Sequence, residues 1–159
     1  MAAMRFFWDM SVTYDCRVDA GIALRTLALD VGDRRIGIAI TDRLGLTVQG
    51  RPTRTRRGLE VDIEHLRSLI DEEGVVQIVV GLPLHIDGQE SPQSLKTRAF
   101  AALLEEATDA AVLLWDERLT SFAAEQELEE LGLNWRERRR RVDEAAATLI
   151  LEDFLRATA

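Results

Sequence analysis

Four carboxylates in this chain stand where a charge is expensive. Asp30 interrupts the run Leu27-Ala28-Leu29-Asp30-Val31-Gly32. A continuous apolar run of this kind reads as a strand covered on both faces. An unpaired charge inside it is strongly destabilising. Asp30 must therefore shift its proton affinity, meet a cation, or stand at an opening in the sheet. Gly32-Asp33-Arg34-Arg35 suits a turn, and Ile36-Gly37-Ile38-Ala39-Ile40-Thr41 reads as a strand folding back on the first. A carboxylate beside accessible backbone in such a hairpin suits a metal ion or a phosphate.

Asp116 and Glu117 directly follow the apolar run Ala111-Val112-Leu113-Leu114-Trp115. Ligands of open α/β sheets bind beyond the carboxyl ends of the strands. The alternative for this pair is the start of a solvated loop, since charged residues are mostly exposed. Asp143 gives independent evidence. At 100° per residue, Ala147, Ile150 and Phe154 lie within about 40° of it on a helix, while Glu144, Thr148, Glu152 and Arg156 take the other side. Asp143 thus lies on the stripe that faces the sheet. The alternative is an acid in the first helical turn, where it is favoured.

Carboxylates without clustered Cys or His imply Mg²⁺ or Mn²⁺. Two such ions ~3.5–4 Å apart hydrolyse phosphodiesters, one generating a hydroxide and the other stabilising the leaving oxygen. Arg136, Arg138, Arg139, Arg140 and Arg141 immediately precede Asp143 and would deliver a polyanion to it. A second cluster holds Arg51, Arg54, Arg56 and Arg57. Arginine suits bidentate phosphate contact. The net charge of −8 argues against nucleic acid when taken alone, so the distribution of charge matters more than the total. His85, in a Pro/Gly-bounded loop, is either a general base beside the metals or a plain loop residue. His65 reads as helix surface and Trp115 as core. Trp135 reads as a packing residue or a stacking platform for an unpaired base.

One domain of 159 residues must position these groups. Strands are expected at 26–31, 36–41, 46–49, 75–80 and 111–115, with the third ended by Gly50-Arg51-Pro52 and the basic segment to Arg57 a loop. Helices are expected at 58–73 (Leu59, Ile63, Leu66, Ile70), 93–107 (Leu95, Ala99, Leu103, Ala107), 120–131 and 142–156, with the Arg run between the last two. This order gives an α/β fold: a mixed five-stranded sheet whose first three strands form a meander, with helices on both faces. Residues 1–25 announce no element, and the folded domain is 26–157. No apolar run approaches the ~20 residues of a membrane span, and the first residues do not read as a secretory signal. The single Cys16 permits no internal disulfide and fits a reducing cytoplasm.

Four motifs resemble the YqgF/RuvX family. They are Leu27-Ala-Leu-Asp30-Val-Gly-Asp-Arg-Arg-Ile-Gly37-Ile-Ala, Val79-Val-Gly-Leu-Pro83-Leu-His-Ile-Asp-Gly88, Asp116-Glu-Arg-Leu-Thr120-Ser and Val142-Asp-Glu-Ala-Ala-Ala. They occur in family order and cover residues 25–157. The resemblance implies an RNase H-like fold similar to Holliday junction resolvases, and a nuclease acting on pre-16S rRNA. It implies catalytic metal ligands at Asp30, Glu117 and Asp143, with Asp116 a near neighbour whose part is not separable from that of Glu117. Arg118 and Thr120 would orient the acids or bind phosphate, and the Gly81–Gly88 loop would shape the substrate groove. Ser121 stands where Thr is more usual and His85 where Asn is, and residues 1–25 have no counterpart in the short family members.

The leading expectation is a two-metal endonuclease on structured nucleic acid, processing precursor rRNA in ribosome biogenesis. A resolvase of branched DNA is the alternative, and would be a homodimer because two symmetric cuts need two sites. Two other classes compete. A non-catalytic nucleic-acid-binding protein would keep the Arg clusters without needing Asp143. A nucleotide-binding module of the actin and sugar-kinase type would need a second domain and a second phosphate loop.

Overall fold

The apolar run at Leu27 becomes the central strand of a sheet. The computed structural model describes residues 25–117 and 135–158, with side chains from residue 145 in the last helix. The elements are β1 (Thr26–Val31), β2 (Arg35–Thr41), β3 (Val48–Thr55), α1 (Leu59–Glu73), β4 (Gln77–Leu82), α2 (Pro92–Ala107), β5 (Ala111–Asp116) and α3 (Trp135–Thr158). The strand order is β3-β2-β1-β4-β5. The first three strands form the expected antiparallel meander, and β4 and β5 run parallel to β1.

Strand alternation sorts the core into two layers. Leu27, Leu29 and Val31 pack with Ile78, Val80, Leu114 and the inner faces of α1 and α2 (Leu66, Ile70, Phe100, Leu104). Ala28, Ala39, Val79 and Leu113 pack with Ala147, Ile150, Leu151 and Phe154 of α3. Helices therefore cover both faces, as expected.

Several local expectations are corrected. β3 is longer than 46–49 and passes through Pro52, so Arg51 and Arg54 lie in a strand rather than a loop. Its partner β2 lies on one side only. The register slips between Ile36 and Ile38, a bulge that accommodates a proline without a donor on an edge strand. β4 starts at Gln77 rather than at residue 75. Gly74 ends α1 in the left-handed conformation (φ 65°), and Val75 N–H is used to close that turn on the carbonyl of Ile70.

α2 buries Ser94, Thr97, Phe100, Ala101 and Leu104, and leaves Leu95 and Leu103 exposed. Both stripes fit a helical period. The stripe bearing Phe100, the largest apolar side chain of α2, goes inside, and a capping box between Ser91 and Ser94 starts the helix in that orientation. The Arg run is not a connection between two helices: α3 begins at Trp135 and includes it. Arginine is a good helix former and nothing between Trp135 and Asp143 breaks a helix. The expected helix at 120–131 lies outside the described residues, as do residues 1–24.

Asp62 is fully buried in the first turn of α1. Arg54 Nε donates to its Oδ1 (3.1 Å), Arg56 Nε to Oδ2 (3.3 Å) and the Arg57 backbone N–H to Oδ1 (3.2 Å). Burial acts to raise the proton affinity of this carboxyl. The hydrogen bonds from Arg57, Arg54 and Arg56 outweigh burial and hold it below the usual carboxylate range. Arg56 also donates to the Gly32 carbonyl (3.0 Å) and lies over the Phe100 ring. One buried acid thus ties the end of β3 to α1, and Arg56 carries that tie to the β1–β2 turn and α2. Asp62→Ala should destabilise the fold by about 3–5 kcal/mol in urea titrations at neutral pH, because it strands two partly buried guanidinium groups. The gap to wild type should narrow as pH falls, since a carboxyl with a depressed folded-state value contributes above its unfolded value and loses that contribution in acid.

Candidate active site at the carboxyl ends of the central strands

β1 alternates, so Asp30 shares the α3 face of the sheet with Ala28, which is buried against that helix. Its cross-strand neighbour on β2 is Gly37. The β1–β4 register ends at Leu29 opposite Val80, and one further step sets Asp30 beside Gly81. The acid is thus flanked on both neighbouring strands by residues without a side chain, which leaves a trough in an otherwise filled surface.

Glu117 occupies that trough. Only 8% of it is exposed, and its backbone N–H donates to the Leu82 carbonyl (3.3 Å). Its side chain folds back over Gly81. A Cβ at position 81 would stand 2.6 Å from Glu117 Oε2 and 2.5 Å from Ile150 Cδ1. Burial first, and then the charges of Asp30 and Asp116, push the Glu117 carboxyl up to about 8. The structure separates Glu117 from Asp116. Asp116 pairs with Leu82 and alternates with Trp115, which puts it with Leu114 on the α1/α2 side.

α3 is fastened over this face. Trp115 Nε1 donates to Asp153 Oδ2 (3.0 Å), and the Trp115 and Phe154 rings meet edge to face at 5.3 Å. Asp143 lies one turn before the buried Ala147 on the same helix. Because α3 starts at Trp135, Asp143 is well inside it, and a first-turn role does not account for this acid. The side chain of Asp143 lies outside the described residues, as do those of Arg136, Arg138, Arg139, Arg140 and Arg141, and all of Arg118 and Thr120.

The end of β1 is held from the opposite face. Gln93 Nε2 donates to the Val31 carbonyl (2.8 Å), and Lys96 pairs with Asp33 (2.9 Å). Arg54 and Arg56, expected to face nucleic acid, are engaged with Asp62, while Arg57 keeps an exposed side chain. His85 opens a tight turn closed by the Gly88 N–H on its carbonyl (2.8 Å), with its side chain exposed. Gln93 and Asp153 were not singled out from sequence, and Gly81 was expected only as the start of a groove-shaping loop. Only Gly81 carried a signal: an isolated glycine in an apolar run marks a bulge or a close approach.

Among the described residues no three His, Cys, Asp or Glu side chains are placed to hold a metal ion. Asp30 and Glu117 supply hard oxygens, and a third ligand would have to come from α3. The donor chemistry fits a divalent cation: the Glu117 carboxyl is buried and feels the charge of Asp30, and a cation held by the two would offset both penalties.

This sheet and helix arrangement is that of the RNase H-like junction resolvases. The chain superposes on Thermus thermophilus RuvC, solved in complex with a Holliday junction substrate, with a TM-score of 0.54 at 12% identity over 86% of this chain and 96% of that one. The fowlpox virus resolvase, solved with Holliday junction DNA, gives 0.51 at 12% identity over 85% and 99%. The chain belongs to the RuvX family, described as Holliday junction resolvase, whose pattern matches residues 24–157. A relative in Halothermothrix orenii is 42% identical over 132 residues, 83% of this chain and 94% of its own length. One in Koribacter versatilis is 45% identical over 131 residues, 82% and 86% of the two chains. Both carry the name "Putative pre-16S rRNA nuclease".

The folded-state value of Glu117 lies above its unfolded one of 4.5, so the folded chain holds an extra proton between that value and about 8. Stability therefore falls as pH rises through this window. With divalent ions chelated, the urea midpoint of the wild type should drop between about pH 5 and pH 8.5, and that of Glu117→Gln should drop less. Superimposable profiles would contradict the buried placement of Glu117.

Proposed function

We propose that this chain is a metal-dependent endonuclease that processes the end of precursor 16S rRNA. The observation that carries the reading is the burial of the Glu117 carboxylate beside Asp30, in a trough made by two glycines, under a helix that bears a third acid. Asp30, Glu117 and Asp143 are the ligand set, and Asp116 stands on the other face of the sheet. Divalent ions held by these three acids would supply activation of the attacking water and neutralisation of the leaving oxygen. The chain's own work is positional: β1 and the end of β5 hold the Asp30 and Glu117 carboxyls on one face of the sheet, α3 would bring Asp143 to them, and the apolar layer around Ala28 and Ile150 braces that face. The Arg run on α3 would bind the phosphate backbone just ahead of Asp143, with Arg118, Thr120 and Arg57 as further contacts. The two relatives' name supports the RNA substrate. A four-way DNA junction is the second reading, supported by the family description. No helix among the described residues is long and apolar enough to cross a membrane, and rRNA processing would place the protein in the cytoplasm.

Two labelled substrates, a precursor 16S rRNA end and a four-way junction, should be incubated in parallel with Mg²⁺ or Mn²⁺. Cleavage of the RNA alone is expected, abolished by Asp30→Asn, Glu117→Gln or Asp143→Asn with folding and RNA binding retained. Paired nicks in the junction by a dimer would establish the resolvase instead, and binding without any Asp30-dependent cut would leave a non-catalytic RNA-binding protein.

Neutralising Arg138, Arg139, Arg140 and Arg141 should weaken binding and flatten its salt dependence. The log–log slope should fall by roughly 0.7–0.9 for each phosphate that the variant no longer neutralises. An unchanged slope would remove the run from the interface.

A further inference from the structure

Gly81 lies inside β4, not at its end, and its φ is not positive, so the backbone there accepts any residue. An alanine in a strand at such a position is ordinarily neutral or stabilising. What excludes a side chain is space. Two atoms already occupy the place of its Cβ: Glu117 Oε2 at 2.6 Å and Ile150 Cδ1 at 2.5 Å. Both are the far ends of side chains, so an added methyl would displace both and leave the backbone in place. The two differ in freedom. Ile150 is fully enclosed between α3 and the sheet, whereas Glu117 reaches the mouth of the trough and keeps 8% exposure. Ile150 can only turn its terminal methyl within its enclosure, whereas the carboxylate has somewhere to go. It would be driven out of the place next to Asp30 that the strand register makes for it.

The geometry points to Gly81 as the positioning residue of this site: its missing side chain is the seat that brings the Glu117 carboxylate against Asp30 beneath α3. This rests on the reading of Asp30, Glu117 and Asp143 as metal ligands. Gly81 itself touches neither metal nor substrate and acts through Glu117.

The test measures Mn²⁺ binding by titration calorimetry alongside melting temperature for wild type, Gly81→Ala, Glu117→Ala and the double variant Gly81→Ala/Glu117→Ala. Gly81→Ala should keep its circular dichroism spectrum and weaken Mn²⁺ binding about 10–100-fold, the range for residues that orient metal ligands. Its melting-temperature penalty should shrink once Glu117 is alanine, since one of the two clashing groups is then gone. Wild-type Mn²⁺ affinity in Gly81→Ala would overturn the inference. So would an equal penalty in both backgrounds that Ile150→Val relieves, because the glycine would then serve only helix packing. If Gly81→Ala alone does not fold, the double variant decides: folding close to Glu117→Ala supports the seat, and failure to fold overturns it. Should wild type bind no Mn²⁺, the metal-site reading fails by itself, and the melting cycle still reports whether Gly81 seats Glu117.

Discussion

A carboxylate can lie in the face of an apolar sheet only where the neighbouring strands give up their side chains. That steric condition organises this molecule. Gly37 and Gly81 stand on either side of Asp30, and Glu117 folds into the gap that Gly81 leaves. Without that gap Glu117 would be left to solvent, and the face under α3 would close as a plain hydrophobic layer like the one beneath α1 and α2. The acids are held at the expense of solvation and of mutual repulsion, and the rise in the proton affinity of Glu117 is the visible consequence.

Holding two repelling acids in place requires a frame that does not relax, and the fold supplies it from several directions. On the far face, Gln93 grips the last carbonyl of β1, and Arg56 reaches the next one from its place beside Asp62. On the near face, the Trp115–Asp153 hydrogen bond and the Trp115–Phe154 contact lock α3 to β5 within two residues of Glu117. Apart from the Arg56–Gly32 contact, these are made by residues of strands and helices, which fix a site more tightly than loops do.

Much of this was legible in the sequence, because it rests on patterns of short range. The apolar runs gave β1, β2, β4 and β5 to within two residues, and the expensive carboxylates announced themselves by interrupting such runs. What was not legible depends on partners far apart in the chain. Nothing in the sequence marks Asp62, because only the fold brings Arg54 and Arg56 onto it. α2 carries two stripes of helical period, and the spacing alone does not choose between Leu95 and Phe100. Pro52 reads as a stop until its strand is known to be an edge. Gly81 reads as a strand end until β5 and α3 are laid against it.

The continuity of α3 changes what its basic residues can do. A run of arginines in a loop would concentrate phosphate near the protein without fixing where along the polymer a cut falls. Within one helix, Arg139 and Asp143 are separated by about 6 Å of axial rise, at 1.5 Å per residue, on a rod that Trp115 pins to the sheet. A phosphate held by the run would thus be registered against the acid one turn away. The helix would then measure the substrate as well as attract it. An overall charge of −8 becomes intelligible in the same terms: attraction concentrated on a few basic positions, on a surface that otherwise repels a polyanion, would favour a single orientation of a bound strand.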